Sequence, residues 1–255
     1  MKKIYAVLAV ALMAAAPVWA QEEDGWSFGG DVALATSYTW RGYTSGGLSI
    51  QPEVFADWTK GDFCLELGAW YNKSFQDEPF GTFTMGGYSE MDFYAEASYK
   101  WVAVSAYDYC CDDFFGSYAD NHALDVTLTV GGTDEIPLSL AWSTIVAGCD
   151  TKMVGLEQKR AFSSYAEAAY AFAFPDVPVD FTLSAGLVPW GSPYIEAPGD
   201  WDYVTELTKP HLTNVGLQGE HAFELGGLSL PVRASVGFNP AINQMLWCVG
   251  CSIEF

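Results

Sequence analysis

The sequence predicts an all-β protein, a transmembrane antiparallel up-and-down β-barrel of about twelve strands. Three observations lead to this prediction. Apolar and polar side chains alternate along most of the chain, long and short connections alternate between the segments, and the apolar parity carries no charged residue in eleven assignable strands. A soluble β-sandwich would share the first observation, but it has no reason to sort its connections by length.

The first twenty residues have the pattern of an export signal. Two lysines precede an apolar stretch from Ile4 to Ala16, and Val18-Trp19-Ala20 then offers a cleavage site. The apolar stretch is too short and wrongly flanked for a membrane-spanning helix. We therefore predict a signal peptide over residues 1–20 and one barrel domain over residues 21–255.

Alternation along the rest of the chain defines the strands. In the first segment Val32 and Leu34 share one parity, while Asp31 and Ala33 share the other, so one face is apolar and the opposite face polar. The segment 102–109 mixes both parities, and its faces are not assigned. The predicted strands cover residues 31–41, 50–59, 63–72, 91–99, 102–109, 124–130, 138–143, 166–172, 179–187, 214–223, 228–239 and 245–255.

The connections form an independent pattern. Short connections are expected at residues 60–62, 100–101, 131–135, 175–178 and 224–227, and mostly long ones at 42–48, 73–89, 110–121, 148–160 and 190–210. Only the connection 240–243 is short where a long one is due. This pattern predicts extracellular loops, periplasmic turns and both termini in the periplasm of a Gram-negative cell.

Composition narrows the classes of partner. Eleven Lys and Arg stand against 32 Asp and Glu, for a net charge of −21, or −23 without Lys2 and Lys3. Such a chain is a poor partner for nucleic acid and a plausible one for cations. We expect contacts with outer-membrane lipid and lipopolysaccharide, and aromatic side chains near the strand ends, Tyr38 and Trp40 among them, as interfacial girdles.

The polar parity supplies the candidate site, because it faces the lumen of the predicted barrel. Carboxylates in a narrow conduit favour cations, and two arginines do not neutralise them. The alternative is a packed, closed lumen in which carboxylates bind the arginines and tyrosines. The predicted pore-lining residues are Asp31, Arg41, Glu53, Asp57, Glu66, Asp92, Glu96, Asp125, Glu167, Asp180, Glu220 and Arg233, with Arg41 as partial counter-charge to the acidic patch on the second to fourth strands.

Two segments resemble a known family. Thr36-Ser37-Tyr38-Thr39-Trp40-Arg41-Gly42, followed by a Gly/Ser loop and Ile50-Gln51-Pro52, is similar to the opening of the TorF-type porins, as is Glu90-Met91-Asp92-Phe93-Tyr94 to a later strand. The resemblance covers about a quarter of the chain and implies a porin-like barrel. This chain has Ser37 where the family usually has aspartate. The terminal segment resembles the signal that barrel-assembly machinery recognises, with Phe255 as its final aromatic.

Other chemistry has weaker support. Cys149 is expected to form a disulfide with Cys110 or Cys111, because export passes through an oxidising compartment. Cys110, Cys111 and Cys149 have no CxxC spacing among them, so we expect no metal site there, and no cofactor is indicated. The three histidines have no serine placed to share a catalytic site with them, so we expect no enzyme.

The predicted function is therefore a passive outer-membrane channel for small solutes, biased toward cations. The alternative is a closed barrel with a structural, adhesive or receptor role carried by its outer loops. The sequence makes no prediction of the solute or the oligomeric state.

Overall fold

The computed structural model describes residues 24–79, 81–84, 87–111, 115–154, 156–190, 210–226 and 228–255. The predicted signal peptide lies outside these residues. Twelve antiparallel strands close into a barrel, which confirms the predicted architecture. The remaining four strands form two separate hairpins within the connections.

The elements follow one another in chain order. Barrel strands are β1 (Gly25–Ala35), β4 (Ser49–Lys60), β5 (Phe63–Ser74), β6 (Ser89–Tyr99), β7 (Val102–Cys111), β8 (His122–Gly131), β9 (Leu138–Gly148), β12 (Ser164–Ala173), β13 (Asp180–Val188), β14 (His211–Leu225), β15 (Leu228–Asn239) and β16 (Gln244–Glu254). The hairpins are β2 (Tyr38–Trp40) with β3 (Tyr43–Gly46), and β10 (Thr151–Val154) with β11 (Glu157–Arg160). One short helix, α1 (Tyr118–Asn121), precedes β8.

The first and last barrel strands close the sheet. Asp31 of β1 lies opposite Glu254 of β16 on one side and opposite Glu53 of β4 on the other. The backbone groups from Asp31 to Ala35 of β1 therefore pair on both sides, and the sheet closes at this seam. A closed circuit of this kind is what a strand protein needs in lipid, where no water satisfies a lone N–H or C=O group.

The exterior of the barrel is apolar around its whole circumference. Each of the twelve barrel strands presents a large apolar or aromatic side chain that is 39–56% exposed: Leu34, Val54, Leu67, Phe93, Val104, Leu128, Leu140, Tyr170, Leu183, Leu217, Val236 and Val249. Polar side chains of the opposite parity are buried inside. This arrangement is the reverse of a soluble protein and fits a barrel surrounded by lipid.

The faces of β7, which the sequence left open, are settled by its pairing. Ser105, Tyr107 and Tyr109 lie opposite Glu96, Tyr94 and Asp92 of β6, so these side chains point into the lumen. The outward parity of β7 includes Val104. The lumenal side of β7 contains two tyrosines, and its lipid side contains apolar residues. Apolar and polar side chains therefore do not alternate clearly along this strand.

The first predicted strand is wrong at its extracellular end. The barrel wall stops at Ala35 rather than continuing to residue 41, and the chain turns away to form the β2–β3 hairpin. Tyr38 is only 3% exposed, and Trp40 packs on the lumenal Tyr109. Neither residue therefore belongs to the lipid-facing girdle that the alternation predicted.

Other connections agree with the predicted lengths. The turns between β4 and β5 and between β6 and β7 contain two residues each, while the connection from β9 to β12 is long and contains the β10–β11 hairpin. Asp150 fastens the base of that hairpin, since the Ser163 amide donates to its Oδ2 at 2.9 Å. Burial raises the pKa of Asp150, and its hydrogen bonds with Ser163 oppose that shift.

Within the described residues, no helix is long and apolar enough to cross a membrane.

Neighbouring residues of β13 allow a direct test of the two faces. Leu183 points to lipid and is 50% exposed, while Thr182 points to the lumen. We expect Leu183→Arg to reduce insertion strongly, because a midplane charge in lipid costs about 2–4 kcal/mol. The matched variant Thr182→Arg should insert nearly normally. Heat-modifiable migration on gels measures the inserted fraction, and equal losses for the two variants would contradict this assignment.

The terminal aromatic allows a test of assembly. Phe255 exchanges two backbone hydrogen bonds with Gly30, at 3.0 and 3.1 Å, and its ring remains 75% exposed. Deletion of Phe255 should lower the amount of membrane-inserted protein, because both the closing pair and the terminal aromatic are lost. Export to the periplasm should be unchanged. Normal insertion of the shortened chain, measured by membrane fractionation, would remove Phe255 as an assembly signal.

Candidate functional site in the barrel lumen

The lumen is crossed by the β2–β3 hairpin. Its two-residue turn, Arg41-Gly42, has positive φ at both positions (49° and 90°), with Trp40 paired to Tyr43 before and after it. Positive φ at both central residues defines a tight hairpin turn whose twist matches the strands. A side chain at the second position would overlap the backbone of Thr213, so glycine is required there.

Aromatic rings hold one side of this hairpin. Tyr38 packs against Trp70 of β5, with ring centroids 5.4 Å apart, and Trp40 meets Tyr109 of β7 edge to face at 5.8 Å. Such ring pairs contribute about 0.5–1.5 kcal/mol each beyond the area they bury. The hairpin is thereby fixed to the wall formed by β5 and β7.

Hydrogen bonds hold the other side. The Asn239 Nδ2 group of β15 donates to the Gly42 carbonyl at 2.8 Å. The Ser37 hydroxyl donates to the Trp247 carbonyl at 2.5 Å, and the Cys248 thiol donates to the Ser37 carbonyl at 3.2 Å. The hairpin thus bridges opposite walls of the barrel.

Arg41 lies at the tip of the hairpin and is buried. Its Nη2 donates to Asp125 Oδ2 of β8 at 2.6 Å. The guanidinium also lies over the rings of Trp40 and Tyr165, at 4.5 and 5.2 Å from their centroids. Because the ion pair is removed from bulk water, the loss of one partner would leave a buried charge uncompensated.

The structure places all of the predicted pore-lining carboxylates on the lumenal parity. Six of these carboxylates are buried: Asp31, Glu53, Asp57, Asp92, Asp125 and Glu167. Glu66, Glu96 and Glu220 are partly exposed, and Asp180 is exposed. Glu90 and Glu254 share this parity.

Several carboxylates stand directly opposite one another. Asp57, Glu66 and Glu96 form a row across β4, β5 and β6 because each is the register partner of the next. Like charges in directly opposed positions destabilise a sheet. The repulsion within this row therefore decreases when a cation or a proton binds close to it.

The two predicted lumenal arginines are both paired. Arg233 Nε donates to Glu220 Oε2 at 2.6 Å across β14 and β15. Arg41, expected near the acidic patch of β4–β6, instead binds Asp125, because the hairpin carries it across the lumen.

The predicted pore-lining residues include no tyrosine, although the closed-lumen alternative expected tyrosines to bind carboxylates. The Tyr94 hydroxyl donates to Glu53 at 2.6 Å, and the Tyr165 hydroxyl donates to Glu167 at 2.7 Å. Tyr94 lies on the polar parity of its predicted strand, which was the available signal. Lumenal tyrosines therefore satisfy some of the carboxylates that lack a basic partner.

The cysteine and metal predictions stand apart from this site. Cys110 lies opposite His122 in the β7–β8 pairing, and the Cys149 amide donates to the His122 carbonyl at 2.7 Å. The disulfide from Cys149 to Cys110 or Cys111 stays a prediction. No cluster of His, Cys, Asp and Glu in the described part of the chain has metal-binding geometry.

Comparisons with known proteins give only distant likenesses. No family model and no curated protein matches the chain, so the likeness to TorF-type porins remains a resemblance. Among solved structures, a mutant porin of Rh. blastica is 14% identical, with a TM-score of 0.37 over 80% of this chain, which spans 55% of that porin. Salmonella typhi OmpF is 8% identical, with a TM-score of 0.40 over 91% of this chain and 98% of OmpF. The translocator domain of the autotransporter NalP from Neisseria meningitidis is 12% identical, with a TM-score of 0.37 over 92% of this chain and 89% of that domain.

The buried ion pair generates a prediction about hairpin anchoring. We expect Arg41→Met to lower the free energy of unfolding by about 3–5 kcal/mol, because Asp125 would remain buried without its partner. Adding Asp125→Leu should recover much of this loss. Urea unfolding of the refolded barrel measures the values. Additive losses in the double variant would show that the two side chains do not interact.

Proposed function

We propose that this chain is an outer-membrane channel through which small solutes diffuse passively, with a bias toward cations. The observation that carries the proposal is the contrast between an apolar exterior and a lumenal face rich in carboxylates. In the described lumen, Arg41 and Arg233 each bind one carboxylate already, Asp125 and Glu220. Carboxylates on the lumenal parity outnumber these two arginines several-fold among the described strands.

Electrostatics favours cations in such a lumen. A carboxylate removed from water is stable in its charged form only if a donor or a cation compensates it. In the row formed by Asp57, Glu66 and Glu96, the two glutamates are partly exposed, and the row lies toward the short turns that join β4 to β5 and β6 to β7. We infer that it holds a negative potential that concentrates cations and repels anions.

The hairpin serves as the constriction in this proposal. It bridges the β5–β7 wall and the β15–β16 wall and thereby divides the lumen at its level. A channel narrowed in this way admits small solutes and excludes large ones. No cofactor or catalytic step is needed, and the partners are lipid, lipopolysaccharide and the barrel-assembly machinery.

One observation favours a second function. The hairpin bonds to opposite walls, and the carboxylates at its level are buried, as expected for a closed barrel that acts structurally or as a receptor through its outer loops. Planar-bilayer recording of the purified protein separates the two functions. Conductance steps support the channel, and silence supports the closed barrel.

The acidic row generates a prediction about selectivity. Asp57→Asn, Glu66→Gln and Glu96→Gln together should shift the reversal potential in a salt gradient toward anions, because the shared negative field is removed. The shift should be larger at low salt, since screening shortens the reach of the field to about 10 Å at 0.1 M.

A control with the same change in net charge separates the lumen from the surface. Glu78→Gln, Asp120→Asn and Glu157→Gln remove three charges from exposed outer segments, and this variant should keep the wild-type reversal potential. If the lumenal variant conducts with unchanged selectivity, the cation bias does not arise from this row.

A further inference from the structure

The lumen is filled unequally on its two sides. On β5 and β6, a side chain at Gly68 would overlap the ring of Tyr94, which stacks on Tyr107 with centroids 4.9 Å apart. On β13, a side chain at Gly186 would overlap the ring of Tyr165. Each of these glycines therefore leaves room for an aromatic ring, and that ring fills the lumen beside it.

Two other lumenal glycines have no ring on them. Gly216 of β14 and Gly237 of β15 are register partners. A Cβ at Gly216 would first meet the Ser184 hydroxyl at 3.2 Å, and one at Gly237 would first meet the Val215 carbonyl at 3.4 Å. No aromatic ring therefore covers these two glycines on the wall that faces the hairpin.

That space is a cavity of about 50 Å³ at the level of the hairpin. It holds roughly four molecules of water, at about 10–15 Å³ of accessible space for each. Thr39 and Gly42 of the hairpin bound it on one side, while Gly216 and Gly237 bound it on the other. The cavity thus lies between the hairpin and the wall formed by β14 and β15.

The cavity is lined by apolar residues, Leu246 and Trp247 among them, and by uncharged polar residues. The side chains that bring polar atoms to it are hydroxyls and amides, from Thr39, Thr182, Ser184, Asn214, Gln218 and Ser235. Groups of this kind both donate and accept hydrogen bonds. Gln218 also lines the cavity, and its buried Oε1 atom has no hydrogen-bond partner in the described part of the chain.

We infer that solutes pass the constriction through this cavity, along the wall of β13 to β15, and that it takes small uncharged molecules rich in hydroxyl groups, of the polyol class. This inference rests on the proposed channel function and names its route and a solute class. A hydroxyl solute can replace its water with the Ser, Thr, Asn and Gln side chains without leaving a charge uncompensated. Cation preference then arises below the hairpin, at the acidic row.

Swelling of liposomes that contain the purified protein, with glycerol as the probe, tests the route. Gly216→Leu and Gly237→Leu should each slow glycerol entry several-fold, because the new side chain projects into the cavity. Gly219→Leu is the matched control, since Gly219 lies on the same strand but on the outward parity, beside Phe181. This control should swell like the wild type.

Thr182→Phe provides a second obstruction without a change of glycine, and heat-modifiable migration verifies that each variant is inserted. Wild-type rates in all three obstructed variants would place the route elsewhere and overturn the inference. A wild-type protein that conducts ions but excludes glycerol would overturn the solute class and leave the channel intact. Silence in both assays would overturn the channel itself.

Discussion

The interior of this barrel is organised by the anchoring of one hairpin, and the ion pair between Arg41 and Asp125 is its central contact. The pair joins the tip of the first connection to a strand 84 residues further along the chain. An unpaired arginine at that depth would be strongly disfavoured, so the pair commits the hairpin to the lumen rather than to the extracellular side. The ring contacts of Tyr38 and Trp40 then fix its orientation.

This placement explains why the interior contains so many aromatic residues on a parity that must be polar elsewhere. A hairpin in the lumen creates a small apolar core of its own, in which Tyr109 and Ile145 are buried together. Two lumenal tyrosines direct their hydroxyl groups at carboxylates, Tyr94 at Glu53 and Tyr165 at Glu167. Tyrosine suits this place because one end is apolar and the other forms hydrogen bonds.

The sequence predicts the outer surface well because lipid imposes a single rule on every strand. Leu183 and Thr182 illustrate it, since their neighbouring positions take opposite faces as the alternation requires. The hairpin was missed because Tyr38 and Trp40 continue the same alternation, and a ring is as acceptable against lipid as against Trp70. Only the Arg41-Gly42 pair, placed between two aromatic residues, carried a signal for a tight turn.

The interior contacts were less predictable for a related reason. Which carboxylate Arg41 reaches depends on the direction in which the hairpin crosses the lumen, and that direction is set by residues on distant strands. Parity gave the lumenal position of Asp125, but not its partner. The same reasoning applies to β7, where Tyr109 occupies a lumenal position because Trp40 of the hairpin packs against its ring.

In the proposed channel, the selectivity between ions and the upper limit on solute size are set at different heights along the barrel axis. The acidic row of Asp57, Glu66 and Glu96 lies toward the short turns at one end of the wall, whereas the cavity beside the hairpin has an uncharged lining. Charge acts over a distance that salt shortens, to about 8 Å at physiological ionic strength. Exclusion by the hairpin depends on contact and is independent of salt. In the proposed channel, selectivity between ions should therefore change with salt concentration, while the upper limit on solute size should stay constant.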